Sequence, residues 1–290
     1  MKKYLLPLLS SILLLGACTG AKENVSSSNE EFSSDSSIES SSNESEQYKA
    51  LNALADKLFS LEGEVKTAKT TMNREFIYPG TGSFTMNVKN VYETTRYTHS
   101  TSDYVVETNG TETIEGSSSS TYKTQIYNDT KKFYKVTAYE GESNTVESDT
   151  YDVEKVESTY DVGPAQTEIT NFQAIILNEE SYAEKGTPEL FEWTFDNIEG
   201  VEEDEFLKYS YTISIYSMQE GEKTLTTSYK YENTFTIKND LITKLEQKYE
   251  MNQYVSSATN TLKVSLTTEY FQGQLEEFTG TLLSNKKTLN

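Results

Sequence analysis

Residues 209–216 read YSYTISIY. Tyr209, Tyr211, Ile213 and Ile215 alternate with Ser210, Thr212 and Ser214, a period of two that belongs to a half-buried β-strand. Two further runs repeat the pattern. Leu241, Leu245, Tyr249 and Met251 are assigned to one face of a strand, and Leu262, Val264, Leu266 and Tyr270 to one face of the next. Gly221 and Asn239-Asp240 supply the residue types that tight hairpin turns require. Each strand thus has an apolar side and a wetter side, the pattern of an antiparallel sheet covered on one face.

N-terminal to this meander the period changes. Thr170 to Lys185 carries Phe172, Ile175, Ile176, Tyr182 and Ala183 on one side. Thr170 and Gln173 have capping-box spacing, and Gly186 with Pro188 marks the stop. Before it, TQIYNDTKKFYKVT (124–137) reads as a hairpin turning at Asn128-Asp129, and Gly141 as another turn. VVETNGTETI (105–114) reads as a hairpin turning at Asn109-Gly110. From Tyr48 to about Thr70, the residues Leu51, Leu54, Leu58, Leu61, Val65 and Ala68 recur at spacings of three and four, an amphipathic helix. Gly63 interrupts that stripe, and packing on a sheet suits it better than a coiled-coil seam. The order helix, meander, helix, meander predicts an α+β fold over 48–290. Its long curved antiparallel sheet, half-barrel-like, packs on an N-terminal helix and one inserted helix. It forms either one domain or two helix-plus-meander halves, 48–165 and 166–290.

Residues 19–47, TGAKENVSSSNEEFSSDSSIESSSNESEQ, are serine, asparagine and glutamate with isolated apolar residues. Such a segment cannot bury enough surface to offset chain entropy and reads as an acidic linker. The chain has 25 Lys plus Arg against 46 Asp plus Glu, a net charge of −21. That balance argues against nucleic acid, whose backbone needs clustered cations. It also predicts repulsion from anionic lipid headgroups. The scarcity of arginine, Arg74 and Arg96 alone, beside many lysines, asparagines and tyrosines, suggests a low-GC Gram-positive source.

Lys2 and Lys3 precede an apolar run, Tyr4 to Leu15, that is short for a membrane span of ~20 residues. A positive start, a short apolar core and small residues after it mark a secretory signal. The run ends in Leu15-Gly16-Ala17-Cys18, which holds the sole cysteine. This tetrapeptide resembles the lipobox of bacterial lipoproteins. The resemblance implies that residues 1–17 are removed, that the Cys18 thiol carries a diacylglyceryl group, and that residues 18–47 tether the domain to the extracytoplasmic face of the cell membrane. With one cysteine no intramolecular disulfide can form.

Catalytic patterns are scarce. His99 is the only histidine, so any Ser-His-Asp or Cys-His scheme has to pass through it; within YTHSTS it reads as a solvent-facing strand residue. Ser120-Thr121-Tyr122-Lys123 has S-x-x-K spacing in a strand context, without the companion motifs. Glu199, Glu202, Glu203, Asp204 and Glu205 cluster around Gly200 without calcium-loop spacing and read as a solvated turn. The sequence calls for no enzyme activity, no cofactor and no metal.

There remain 21 Tyr, 12 Phe and one tryptophan, Trp193. They serve either as cross-strand neighbours or as walls that touch both ligand and water. The element order over 48–273, with the lipid anchor, resembles the LolA/LppX class of lipoprotein and lipid carriers. That resemblance implies a helix-lidded half-barrel whose interior holds acyl chains. The leading expectation is a membrane-anchored protein with a cavity between sheet and helices for a lipid or other amphiphile. Its lining would be Trp193, Tyr209, Tyr211, Ile213, Ile215, Leu245, Tyr249, Leu262, Val264 and Leu266. The same periodicity fits a filled core. The alternative is a surface interaction or structural module that meets an envelope or host protein through tyrosines and acidic loops.

Overall fold

Gly63 has a left-handed backbone, φ 66°, and the first helix stops just before it. In the computed structural model that helix, α1, spans Glu46–Glu62 and buries Leu51, Leu54, Leu58 and Leu61. Strand β1 follows at Val65–Tyr78. Val65 and Ala68, assigned by spacing to the helix, therefore belong to the strand. Three residues apart, they would fall on opposite faces of a regular strand; the bulge between Val65 and Thr67 brings both into the core. The structure describes residues 46–283 apart from 80–82, 99–104, 118, 129–131, 141–144, 153–162, 200–204 and 256–257. The signal, Cys18, the linker as far as Ser45, His99, the turn at Asn128-Asp129 beyond Asn128 and the Gly141 turn lie outside the described residues, while Glu46 and Gln47, assigned to the linker, open α1.

Beyond β1 run β2 (Phe84–Thr98), β3 (Val105–Ile114), β4 (Ser119–Asn128), β5 (Lys132–Glu140) and β6 (Thr145–Asp152). Helix α2 (Pro164–Glu184) and a 3-10 turn at Pro188–Leu190 come next. The chain then forms β7 (Phe191–Glu199), β8 (Phe206–Gln219), β9 (Glu222–Lys238), β10 (Leu241–Val255) and β11 (Ala258–Gln272), with a short β12 at Glu276–Glu277.

Three local expectations are corrected. Asn109-Gly110 is not a turn: β3 runs straight through it. A Cβ on Gly110 would sit 2.4 Å from the Tyr122 ring, so the glycine clears space for a cross-strand aromatic. Helix α2 starts six residues before Thr170, at Pro164, whose fixed φ suits a first helical position. Its N-cap, Gly163, offers no side chain; the Glu62 carboxylate of α1 accepts from the Ala165 amide instead, at 3.0 Å. Leu241 leaves the shared face because a bulge between Ile242 and Lys244 turns Ile242 into the core in its place. The turns at Gly221 and Asn239-Asp240 are as expected, with positive φ at Glu220, Gly221, Asn239 and Asp240.

The strands form one antiparallel sheet in the order β6-β5-β4-β3-β2-β1-β11-β10-β9-β8-β7, open, with β6 and β7 at its edges. Glu46–Asn290 make one compact unit, in which the N-terminal and C-terminal meanders meet where β1 pairs with β11. The expected long antiparallel sheet with an N-terminal and an inserted helix is thus present. Register assigns every side chain to a face. Ala68, Met72 and Arg74 share one with Tyr270, Leu266 and Val264 of β11, and through β10 and β9 with Tyr209 and Tyr211 of β8. Helices α1 and α2 pack on this covered face.

A second, smaller core lies on the opposite face. Val105, Tyr127 and Val136 of β3 to β5 pack with Leu283 of the C-terminal segment. That segment begins as β12, parallel to β2, and Phe278 sets its ring on Tyr97, 5.6 Å between centroids. Gln125, fully buried, donates to the Thr281 carbonyl at 3.2 Å and accepts from the Leu283 amide at 2.7 Å.

Candidate functional site

All ten residues proposed as cavity lining share the covered face. Trp193, Tyr209, Tyr211, Ile213 and Leu245 are buried in a core with α1 and α2, and Ile215, Tyr249 and Leu266 are half-buried against it. Leu262 and Val264 are buried on the same face of β11. Register draws a row of rings across four strands: Phe195, Tyr211, Tyr231 and Tyr249 stand opposite one another. Centroid separations along the row are 5.8, 4.6 and 5.1 Å, the last two pairs nearly parallel. From α2, Phe172 meets Phe195, Tyr209 and Tyr211 at 6.2–6.3 Å. These spacings are those of direct aromatic packing.

Within this apolar layer lies a carboxylate. Glu168 of α2 is fully buried. It accepts from Tyr209 Oη at 2.8 Å, Gln247 Nε2 at 3.0 Å, Asn171 Nδ2 at 3.1 Å and Asn233 Nδ2 at 3.2 Å. Burial raises its pKa, and the donors from Tyr209, Asn171 and Gln247 draw it part of the way back. Burial and the neighbouring Glu168 push the Tyr209 and Tyr211 hydroxyls well above their ordinary range. Four donors on one acid satisfy the group and fix α2 to β8, β9 and β10. A second acid, Glu179, ties the other end: Tyr48 of α1 donates to it, as does Trp193 Nε1 at 3.0 Å.

The row of rings continues past Val264 to Arg74 of β1, which is 8% exposed. Its Nη2 donates to Asn90 Oδ1 at 2.6 Å and to Glu112 Oε2 at 3.0 Å. Neither Glu168 nor Arg74 was singled out from the sequence as a site residue. Both were readable. Glu168 precedes Phe172 by four and Ile175 by seven, placing it on the apolar stripe of α2. Arg74 alternates with Ala68, Met72 and Phe76 and so falls on the apolar side of β1.

The opposite face carries two open depressions. One, of about 740 Å³, crosses six strands and is bordered by charged side chains such as Lys89, Glu232, Lys248, Glu250 and Lys263. The other, of about 800 Å³, is bordered by Lys69, Thr71, Val91, Glu93, Thr111 and Thr121 among others. Of the ten predicted lining residues only Tyr249 and Val264 border either one. Ion pairs cross this face, Lys69 to Glu93 at 3.0 Å and Lys123 to Glu107 at 2.8 Å.

Ser120 and Lys123, three apart on β4, fall on opposite faces, so the S-x-x-K spacing joins no pair. Among the described residues no three His, Cys, Asp or Glu side chains are grouped to hold a metal, and no helix is long and apolar enough to cross a membrane. Of the acidic cluster, 200–204 lie outside the described residues, and Glu205 is exposed.

No family model matches the sequence, and no curated protein matches it significantly. Among solved structures it is similar to a DUF1329 family protein from Desulfovibrio piger, 10% identical with a TM-score of 0.29, covering 79% of this chain and 95% of that one. A β-barrel-like DUF1849 protein from Brucella abortus is 11% identical, TM-score 0.29, covering 73% and 100%. A LolA superfamily protein from Nitrosomonas europaea is 6% identical, TM-score 0.23, covering 77% and 94%. At these TM-scores the likenesses carry no weight for fold or function.

Proposed function

We propose that this chain is an extracytoplasmic lipoprotein, held on the cell membrane by a diacylglyceryl group at Cys18, that binds a partner and catalyses nothing. The lipobox-like Leu15-Gly16-Ala17-Cys18 supports the anchor. Two acyl chains give stable attachment where one is marginal. The observation that carries the binding mode is the contrast between the faces. The covered face packs aromatic rings on one another and around Glu168 with its donors, whereas the opposite face offers open, charged depressions. Such a surface suits a polar partner, an envelope protein, met through Lys248, Lys263 and their neighbours. Capture from detergent-solubilised membranes tests it. Wild-type chain recovers one envelope protein, and Lys248→Glu with Lys263→Glu loses it; equal recovery by both defeats the assignment. The mass of the Cys18 peptide tests the anchor.

A second reading keeps the carrier: the sheet curves as a half-barrel, the helices act as a lid, and an amphiphile enters between them over the aromatic row. It is favoured by the way α2 is held to the sheet at discrete polar points, Glu168 and Glu179, and to α1 at Glu62. Native mass spectrometry decides. A lipid adduct that diminishes in folded Ile213→Trp and Val264→Trp supports the carrier, and a bare mass after incubation with membrane lipid removes it.

A further inference from the structure

The sheet ends in hairpins, and two adjacent ones differ from the rest of the surface. Phe76 to Pro79 and Ser83 to Val88 flank the β1–β2 turn, and Met251 to Val255 and Ala258 to Leu262 flank the β10–β11 turn; none of these residues is charged. Charged residues are 24% of the chain, so two neutral runs of this length at one place are a pronounced departure. They are neighbours in space, because Ile77 stands opposite Thr261 and Val255 opposite Ala258. The described residues beside these turns carry exposed apolar side chains. Tyr78 and Phe84 stack at 4.7 Å and are 37% and 52% exposed; Tyr254 and Val255 are 40% and 48% exposed.

We propose that these two strand ends dock, through Tyr78, Phe84, Tyr254 and Val255, into the bilayer interface of the membrane that holds the anchor, an inference that rests on the lipoprotein reading above. Three observations select this occupant. Tyrosine and phenylalanine on neutral strand ends suit the headgroup boundary, where one end of the side chain is wet. With Lys2 and Lys3 removed with the signal, the chain carries 23 basic against 46 acidic residues. An anionic membrane repels such a body, and only a part free of carboxylates can approach it. The docked body thus stands off while these two strand ends touch, flanked at the same end of the sheet by Glu115, which accepts from Asn87, and by Glu220 and Glu222 of the β8–β9 turn.

The third observation is where the tether joins. Helix α1 ends at Gly63, beside Leu241 and Gln272 at the far end of the sheet. It begins toward the hairpin end, where the Tyr48 ring meets Trp193 at 5.6 Å, and Trp193 stands opposite Ile213, a few residues from the β8–β9 tip. Seventeen residues give α1 a length of ~25 Å against ~45 Å for β1, so Glu46 sits part-way up toward the rim. The 28 steps of chain from Cys18 to Glu46 can reach at most ~95 Å when fully extended. That reach covers the remaining height, so anchor and rim can engage one membrane together.

The test places tryptophan at these strand ends. Full chain carrying its anchor is reconstituted into phosphatidylcholine vesicles with brominated acyl chains, as Phe84→Trp and as Tyr254→Trp. Trp193, buried under the helices, is the internal control. The introduced tryptophans shift to the blue and lose intensity, while Trp193 does not. With Cys18→Ala in the background, Phe84→Ser weakens vesicle partitioning by about fivefold, from partial burial of one large apolar side chain. Unquenched strand ends on a chain that floats with the vesicles overturn the docking and leave the anchor standing. Quenching that is indifferent to Cys18→Ala, with no lipid on the Cys18 peptide, upholds the docking and overturns the anchor. A chain that neither floats nor quenches overturns both.

Discussion

Whether the covered face is filled or hollow can be decided by one truncation. Phe172 is 2% exposed and touches three rings on two strands. If these contacts are a packed core, Phe172→Ala removes the buried ring and leaves a void that rigid strands cannot close. The expected loss is ~3–5 kcal/mol. In a unit of this size each kcal/mol moves Tm by ~2–4 °C, so melting falls by about 10 °C. The assay is urea unfolding followed by the fluorescence of Trp193, whose indole lies in the same core against Phe195 at 5.9 Å. Leu177→Ala is the control. It sits on the same helix but is 64% exposed, and changes stability by less than ~0.5 kcal/mol. A loss from Phe172→Ala below ~1 kcal/mol refutes the packed face. It would mean that the ring borders space already empty, as the carrier reading requires.

Three further outcomes are expected. Because burial raises the Glu168 pKa, the folded chain keeps a proton that the unfolded chain releases. Stability is then full below the unfolded carboxyl's range and falls as pH rises through the folded value, a slope that stepwise urea midpoints from about pH 4 upward will show and Glu168→Gln will flatten. A slope unchanged in Glu168→Gln removes the assignment. Gly110→Ala drives a Cβ into the Tyr122 ring and costs ~1–3 kcal/mol, largely recovered by adding Tyr122→Leu; failure of that double-variant rescue in thermal melts assigns the glycine another role. Leu283→Ala empties the small core on the opposite face at a cost of ~2–5 kcal/mol, and it accelerates proteolysis of the C-terminal segment over the rest. Uniform cleavage would show that the segment is not separately held.

The long strands were legible because alternation over eight or more residues has no competing explanation, and YSYTISIY falls inside β8 as expected. Residues of the reverse turns at Gly221 and Asn239-Asp240 were legible for the same reason: positive φ admits few residue types. Asn109-Gly110 misled because its chemistry permits a turn without requiring one, and the Tyr122 ring that needs the glycine lies on another strand. The ten lining residues were grouped on one face from parity alone. What parity lacks is depth: it assigns Tyr211 and Leu266 to the same side and cannot say how far a helix presses onto either. Glu168 and Arg74 were passed over because each is a charged residue on an apolar stripe, and its compensating partners, Tyr209 and Gln247 for one and Asn90 and Glu112 for the other, come from distant strands.

The seam between β1 and β11 bears on how the chain comes to be folded at all. Met72 pairs with Leu266, 194 residues on, while Tyr78 and Phe84 of the first hairpin are six apart. Closing the longer loop costs about 3 kcal/mol more in chain entropy than closing the shorter. Pairings of such high contact order form late and slowly. Until β11 arrives, β1 is an unpaired edge, and the aromatic side chains of the C-terminal meander have not met the first helix. A chain that leaves the cell N-terminus first would therefore stay incomplete until nearly its last strand has crossed. Under the lipoprotein reading proposed above, that slow step would keep the polypeptide from closing its sheet as a finished domain before it has crossed the membrane.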